Sequence, residues 1–250
     1  MTFSHSDSTV ICEFFRAYPS PLPPDVFKRI LTPTLNCTKS SNPVVRSNAI
    51  ELFKIVVPKH AEKHEDLESV VTEVLSLPRA GKTAGPDHRV ALYTMLQSLP
   101  PSPTTSPEVV SSAPALLIKE TNDPAIAALG SAFSSHLSYQ LRGSGALPVP
   151  VTSSIVKELA NAKPPVRRAF YSAVGGAIWA LDSLESEASA ALVKAILPAL
   201  ETSLKNVSAN PIGAAAGPLE GYVAVALLLG PLKRSGKHGN SYIPRLKESR

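Results

Sequence analysis

Cysteine is scarce in this sequence, and we expect no signal peptide. The 250 residues contain only two cysteines, Cys12 and Cys37, each within an apolar segment. Two cysteines cannot build the dense disulfide framework of a small secreted domain, so a reducing compartment is favoured. The N-terminal residues MTFSHSDSTV lack the basic start and apolar run of a signal peptide. We therefore expect a cytoplasmic protein.

Long apolar runs and alternating patterns are also missing. The most apolar stretch, residues 213–232, is interrupted by Pro218, Glu220 and Pro231, which leaves a clean apolar core only at 222–229. That core is shorter than the ~20 residues that cross a bilayer. No segment sustains a period of two, so the sequence predicts neither a membrane span nor a β-sheet. The hydrophobic content of 44% is nevertheless enough for a packed core.

Charge of one sign is not in excess over most of the chain. The formal net charge is +5, but residues 233–250 hold six Lys or Arg and one Glu, which accounts for all of it. Residues 1–232 carry 19 basic and 19 acidic groups. The basic character therefore belongs to a tail and does not predict a broad nucleic-acid-binding groove.

Proline, in contrast, is plentiful, with 24 residues, and it marks a repeat. Residues 163–181 read KPPVRRAFYSAVGGAIWAL, a proline turn followed by Val-Arg and then by apolar residues spaced three and four apart. Residues 42–57, NPVVRSNAIELFKIVV, repeat this design. A proline turn, Val-Arg and a buried helix are typical of the second half of a HEAT-type hairpin. The aligned residues are Pro43 with Pro164, Val45 with Val166, and Arg46 with Arg167.

Three weaker copies follow the same phase. Pro86 precedes Arg89 at the arginine position, Pro124 precedes Ile126 at the valine position, and Pro211 begins the most degenerate copy. The marker prolines are 43, 38, 40 and 47 residues apart, close to the ~40–47 residues of HEAT and armadillo units. The sequence therefore predicts an all-α fold: a right-handed α-α superhelix of HEAT or armadillo type, with about five helical hairpins.

The repeat phase divides the chain. We expect a capping helix and turn in residues 1–24, a solenoid in 25–232 and a basic, disordered tail in 233–250. Two connections stand out: a long polar turn at 100–107 and a flexible joint at 142–150. Because the tail does not resemble a capping helix, we expect a fragment or a truncated gene product. The predicted units are 25–57, 62–99, 108–141, 152–182 and 188–232.

No catalytic constellation is found. Residues 81–83, Gly-Lys-Thr, resemble the end of a phosphate-binding loop, but Ser76 replaces the required glycine. His60 and His64 have the spacing of zinc ligands on a helix, without the glutamate or a third ligand. Residues 143–145, Gly-Ser-Gly, lack the spacing of a nucleophile elbow. The sequence therefore predicts no enzyme, cofactor, metal site or small-molecule substrate.

The recurring arginines have two interpretations. Arg46, Arg89 and Arg167 occupy one place in the repeat. A structural role, with each arginine bonded to the neighbouring turn, is favoured because repeats are built from nearest-neighbour interfaces. The functional interpretation is a ladder of positive charge along one edge. Its densest point, Lys163, Arg167 and Arg168, would contact a partner such as phosphate.

Two stretches carry a more specific resemblance. Residues 116–133, LLIKETNDPAIAALGSAF, and 159–170, LANAKPPVRRAF, resemble the N-terminal HEAT-repeat region of the general-control translational activator family. Members are cytosolic scaffolds that sense stalled ribosomes and activate the amino-acid-starvation kinase of initiation factor two alpha.

The resemblance implies a non-enzymatic scaffold that contributes to ribosome association, through ribosomal RNA phosphate or a ribosomal protein. It also implies that regions outside this chain contact the kinase and other translation-control proteins. The alternative is a generic HEAT module for protein partners, of the tubulin-binding or transport-receptor type.

Overall fold

The regular structure of this chain is helical wherever the computed structural model describes it. The described residues are 5–18, 22–60, 67, 71–72, 74–76, 85–144, 147–179, 192–199 and 202, and no strand occurs among them. Residues 192–199 are also helical. Within these ranges eight helices are delimited: α1 (His5–Ala17), α2 (Pro24–Cys37), α3 (Pro43–His60), α4 (Pro86–Ser98), α5 (Thr105–Lys119), α6 (Asp123–Ser144), α7 (Val149–Glu158) and α8 (Pro164–Trp179).

The helices stack as a row of hairpins. Helix α2 packs against α3, α5 against α6, and α7 against α8. The second helices form a continuous line in which α3 packs on α4, α4 on α6 and α6 on α8, while α5 also contacts α7. Helix α1 packs on α3. Because each unit packs mainly on its neighbours, the described residues form an all-α solenoid, which confirms the predicted fold class. The hand of the superhelix and the number of hairpins stay predictions.

Most of the predicted last unit and the whole predicted tail lie outside the described residues. Of the unit at 188–232 only 192–199 and 202 are described, and the marker Pro211 is not among them. The tail at 233–250 and the Gly-Lys-Thr loop at 81–83 are likewise outside.

The residues at each turn explain where the following helix begins. Helices α3, α4 and α8 have proline as their first residue, where a missing N–H costs nothing and φ is already helical. Asparagine side chains accept the free N–H groups of three turns. Asn42 Oδ1 accepts from Val44 N at 2.9 Å, Asn122 Oδ1 from Ala125 N at 3.0 Å, and Asn161 Oδ1 from Lys163 N at 2.8 Å.

The two expected connections are shorter than predicted. The sequence predicts a long polar turn over 100–107, but α5 begins at Thr105. The buried hydroxyl of Ser102 accepts the Thr105 N–H at 3.1 Å, which supports a helix start inside the polar stretch. The joint at 142–150 is shortened from both sides, since α6 continues to Ser144 and α7 begins at Val149.

In the part of the chain that the structure describes, one apolar core runs through the row, from Leu22 to Ile196. Phe133 of α6 and Phe170 of α8 meet edge to face, with ring centroids 6.0 Å apart. The buried hydroxyl of Tyr171 donates to the Leu159 carbonyl at 3.0 Å and so ties α8 to the end of α7. Among the side chains that the structure describes, the largest fully buried ones are Tyr93, Tyr171, Phe27, Phe53, Phe133 and Phe170.

Helices α6 and α8 approach each other closely because their facing residues are small. A Cβ on Gly130 would lie 2.9 Å from the Ala169 Cβ, and a Cβ on Gly176 would collide with the Ser134 hydroxyl. That hydroxyl also donates across the interface to the Ala173 carbonyl at 3.4 Å. Glycine at 130 and 176 therefore sets the spacing of this joint.

Candidate interaction surface

One edge of the row carries the repeated arginines at the starts of the second helices. Arg46 Nη1 donates to the carbonyls of Ser40 at 2.7 Å and Ser41 at 2.9 Å, within its own turn. Its Nη2 lies 2.7 Å from Asp87 Oδ2, in the first turn of α4. Arg46 therefore joins one repeat to the next. Its side chain is 15% exposed, whereas that of Asp87 is 73% exposed.

Arg89 makes the corresponding link one repeat further along, in a more buried setting. Its Nε lies 2.8 Å from Glu120 Oε2 and its Nη2 lies 2.9 Å from Oε1. Glu120 Oε1 also accepts the N–H groups of Thr121 and Asn122. Burial pushes the pKa of Glu120 upward, but the hydrogen bonds from Arg89 and these N–H groups outweigh it and leave the pKa below its ordinary value.

The third arginine behaves differently. Arg167 Nη1 donates to the Asn161 carbonyl at 3.1 Å, and Lys163 Nζ donates to the Ile118 carbonyl at 3.4 Å. Neither forms an ion pair with any described residue. The edge is therefore not a uniform ladder of positive charge, since Arg46 and Arg89 are neutralised by carboxylates while Lys163 and Arg167 meet only carbonyl oxygens.

Arg168 lies beside them, exposed and without an ion pair in the described part of the chain. It lines a groove of about 600 Å³ between α6 and α8, with Asp123 also in the lining. The rest of the groove is built largely from small residues, including Gly130, Ser131, Ser135, Ala169 and Ser172. The structure thus brings Lys163, Arg167 and Arg168 together at the start of α8, and we call this trio the basic end.

The other marker residues lie in or near the core or at the starts of helices. Val166 is fully buried in the core, whereas its repeat counterpart Val45 is only half-buried. Pro43, Pro86 and Pro164 are the first residues of their helices, and Pro124 is the second residue of α6.

Sequence reasoning missed the acidic partners of the arginines. Asp87 lies 41 residues after Arg46, but Glu120 lies 31 residues after Arg89. The two acids therefore occupy different places in the repeat, and a search at a fixed spacing cannot find both. The one useful signal was Asn122, since an acid just before a capping asparagine can accept the same free N–H groups.

A buried serine–histidine pair was also missed. Ser106 Oγ and His136 Nδ1 are 3.0 Å apart, and both residues are buried in the core. Burial lowers the pKa of His136 to about 4, against a weaker opposing effect of the Leu96 carbonyl. The imidazole is therefore neutral at pH 7. With both residues sealed from solvent, the pair joins α5 to α6 and does not present a nucleophile.

The remaining sequence candidates lie at helix ends or outside the described residues. His64 lies outside the described residues, and residues 143–144 simply end α6. In the described ranges no group of three or more His, Cys, Asp or Glu side chains could hold a metal ion. Among the described helices, none combines the length and apolar character needed to cross a membrane.

Stacked hairpins joined by ion pairs at their turns define a helical-repeat scaffold. Residues 86–246 match the family described as General control nonderepressible 1 (Gcn1) N-terminal. This span is well over half of the chain, and the chain therefore belongs to the Gcn1 N-terminal family. The predicted resemblance is confirmed.

Two further comparisons complete the picture. No curated protein matches the chain. Among solved structures, a designed armadillo repeat protein, YIII(Dq)4CqI, is similar over 88% of this chain and 92% of its own, with 14% sequence identity and a TM-score of 0.46.

Proposed function

We propose that this chain is a non-enzymatic scaffold that contributes to ribosome association through its basic end. The observation that supports this most directly is electrostatic. Lys163, Arg167 and Arg168 form no ion pair with any described residue, whereas Arg46 and Arg89 are both neutralised. A cluster of cations without carboxylate partners at a helix start suits phosphate groups of ribosomal RNA.

The family extends the proposal to a regulatory setting. The resemblance to the general-control activator implies a role in activating the kinase that phosphorylates initiation factor two alpha during amino-acid starvation. We propose that this chain supplies ribosome contact in the cytoplasm and that other regions contact the kinase.

Arg168→Glu is the sharpest test, because Arg168 is exposed and no hydrogen bond of its side chain supports the turn. Purified chain and purified ribosomes are co-sedimented over a range of salt concentrations. We expect weaker binding of the variant at low salt, and a slope of log affinity against log salt that is shallower by ~0.7–0.9 for each phosphate that the variant no longer neutralises. Lys163→Glu and Arg167→Glu added to this change should weaken binding further.

Lys157→Glu is the matched control, since it makes the same charge reversal at an exposed position on α7. It should leave sedimentation close to that of the unchanged chain. Equal losses in both variants would show a general charge effect, and no sedimentation of the unchanged chain at any salt would reject the proposal.

The second candidate is a module for protein partners, and the groove between α6 and α8 favours it. Asp123 lines this groove together with Arg168, so both signs of charge are present. A carboxylate repels phosphate, whereas a protein surface can match both charges. Binding to ribosomal proteins that changes little with salt and is weakened by Asp123→Lys would support this candidate over the phosphate contact.

A further inference from the structure

A cavity of about 330 Å³ lies between α1, α2 and α3, at the other end of the row from the basic end. Apolar side chains from all three helices line it, among them Phe15, Ile30 and Leu52. Sites for small molecules in proteins usually measure about 300–1,000 Å³ and are mostly apolar. This cavity therefore has the size and lining of a site for a small ligand.

The cavity has a clear origin in the sequence. Pro33 lies inside α2 and lines the cavity, and it has no N–H for the carbonyl of Arg29 one turn earlier. The remaining wall is built partly from small side chains, those of Cys12, Cys37 and Ala49. Small residues facing α2 at this point leave a volume that the chain does not fill.

Arg29 determines which ligand suits the cavity. It lines the cavity and is exposed, so it places a permanent positive charge at the rim. It forms no ion pair with any described residue, and no Asp or Glu contributes to the lining. An apolar interior with one cation at its edge matches a molecule with an apolar body and a single negative charge.

We propose that this cavity binds a small amphipathic anion, a compact hydrocarbon body carrying one carboxylate that pairs with Arg29. Its modest volume limits the occupant to something of the size of a medium-chain carboxylate. The site is separate from the basic end and does not depend on ribosome association.

The alkylation rate of Cys37 reports ligand binding, because Cys37 lines the cavity and is half-buried. The chain has only two cysteines, and peptide mass spectrometry separates the buried Cys12 from Cys37, so alkylation is followed at Cys37 alone. The rate of its alkylation by N-ethylmaleimide is followed with increasing decanoate, below the micelle concentration, with glutathione as the control thiol. We expect about tenfold slower alkylation when free decanoate is roughly ten times its Kd, since the rate falls as the empty fraction falls.

Two variants and one control variant test the chemistry of the site. Arg29→Gln should weaken protection by decanoate and leave protection by neutral decanol unchanged. Lys54→Gln is the matched control, because Lys54 is an exposed cation on α3 that does not line the cavity, and it should change neither. Ala49→Leu should reduce protection by both compounds because it fills the cavity, with thermal melting used to check that the variant folds.

Three results would overturn the proposal. The first is unchanged alkylation of Cys37 with either compound up to its solubility limit. The second is equal protection by decanoate and decanol that Arg29→Gln does not alter. This result would show that the site does not recognise the negative charge of the ligand. The third is protection that depends on protein concentration and accompanies self-association on a sizing column, which would assign the cavity to a second copy of the chain.

Discussion

Arg89 and Glu120 are joined by two parallel hydrogen bonds, of 2.8 and 2.9 Å, between α4 and the turn that precedes α6. The Glu120 side chain is only 3% exposed. The neighbouring pair, Arg46 and Asp87, places its carboxylate largely in water. Two ion pairs at related places in the repeat should therefore differ in their contribution to stability.

Arg89→Ala should lower the free energy of unfolding by about 2–4 kcal/mol. The substitution leaves the buried Glu120 carboxylate without its cation, although the N–H groups of Thr121 and Asn122 still support it. Asp87→Ala, which removes an exposed partner, should cost less than about 1 kcal/mol. Urea denaturation of the two variants measures the difference, and equal losses would contradict the importance of burial here.

Stability should fall as the pH is lowered from about 6.5 toward 4. The pKa of His136 is about 4 in the folded chain and near 6.5 when unfolded, so the unfolded state binds the proton first and is favoured by acid. The stabilisation is fully present above pH 6.5, and roughly 3 kcal/mol is lost across this window.

His136→Gln should remove most of this slope while keeping a polar partner for Ser106. A weaker slope should remain, because burial and then Lys39 also lower the pKa of His88. Denaturant midpoints measured at several pH values test this, and a slope that the substitution leaves intact would show that His136 is not its source.

Gly130→Ala should destabilise the chain by about 1–3 kcal/mol. The new methyl group would meet the Cβ and backbone of Ala169, which cannot rotate away, and this outweighs the gain of up to ~1 kcal/mol in helix propensity. Gly143→Ala is the control, since nothing lies within 4 Å of its added Cβ, and it should be neutral or slightly stabilising. Thermal melting compares the two, and similar melting temperatures would argue against close contact of α6 and α8.

Tyr171→Phe should cost about 1 kcal/mol, because it leaves the buried Leu159 carbonyl without its hydroxyl donor. Tyr139→Phe, at an exposed site on α6, is the matched control and should change the unfolding free energy little. If both variants unfold at the same urea concentration, the hydroxyl of Tyr171 does not stabilise the joint of α7 and α8.

The fold class was predictable because residues close together in the sequence determine each repeat of the solenoid. Pro43 and Pro164 mark turns, and apolar residues spaced three and four apart mark the buried face of each helix that follows. The residues that carried the family resemblance, 116–133 and 159–170, lie within the span that matches the Gcn1 N-terminal family.

The partners across repeats were not predictable in the same way. Whether Arg89 is neutralised depends on Glu120, and whether Arg46 is neutralised depends on Asp87, two acids at different repeat positions. The cavity beside Pro33 needs three helices in known positions, and no local pattern encodes an unfilled volume. Partner binding by Lys163, Arg167 and Arg168 stays a prediction.

The close approach at Gly130 and Gly176 also has a mechanical consequence. Because glycine at 130 and 176 lets α6 and α8 pack closely, this joint should resist bending. Flexing under load should concentrate between α3 and α4, where Arg46 meets an exposed carboxylate. The basic end (Lys163, Arg167 and Arg168) would then move together with α6 as one rigid body.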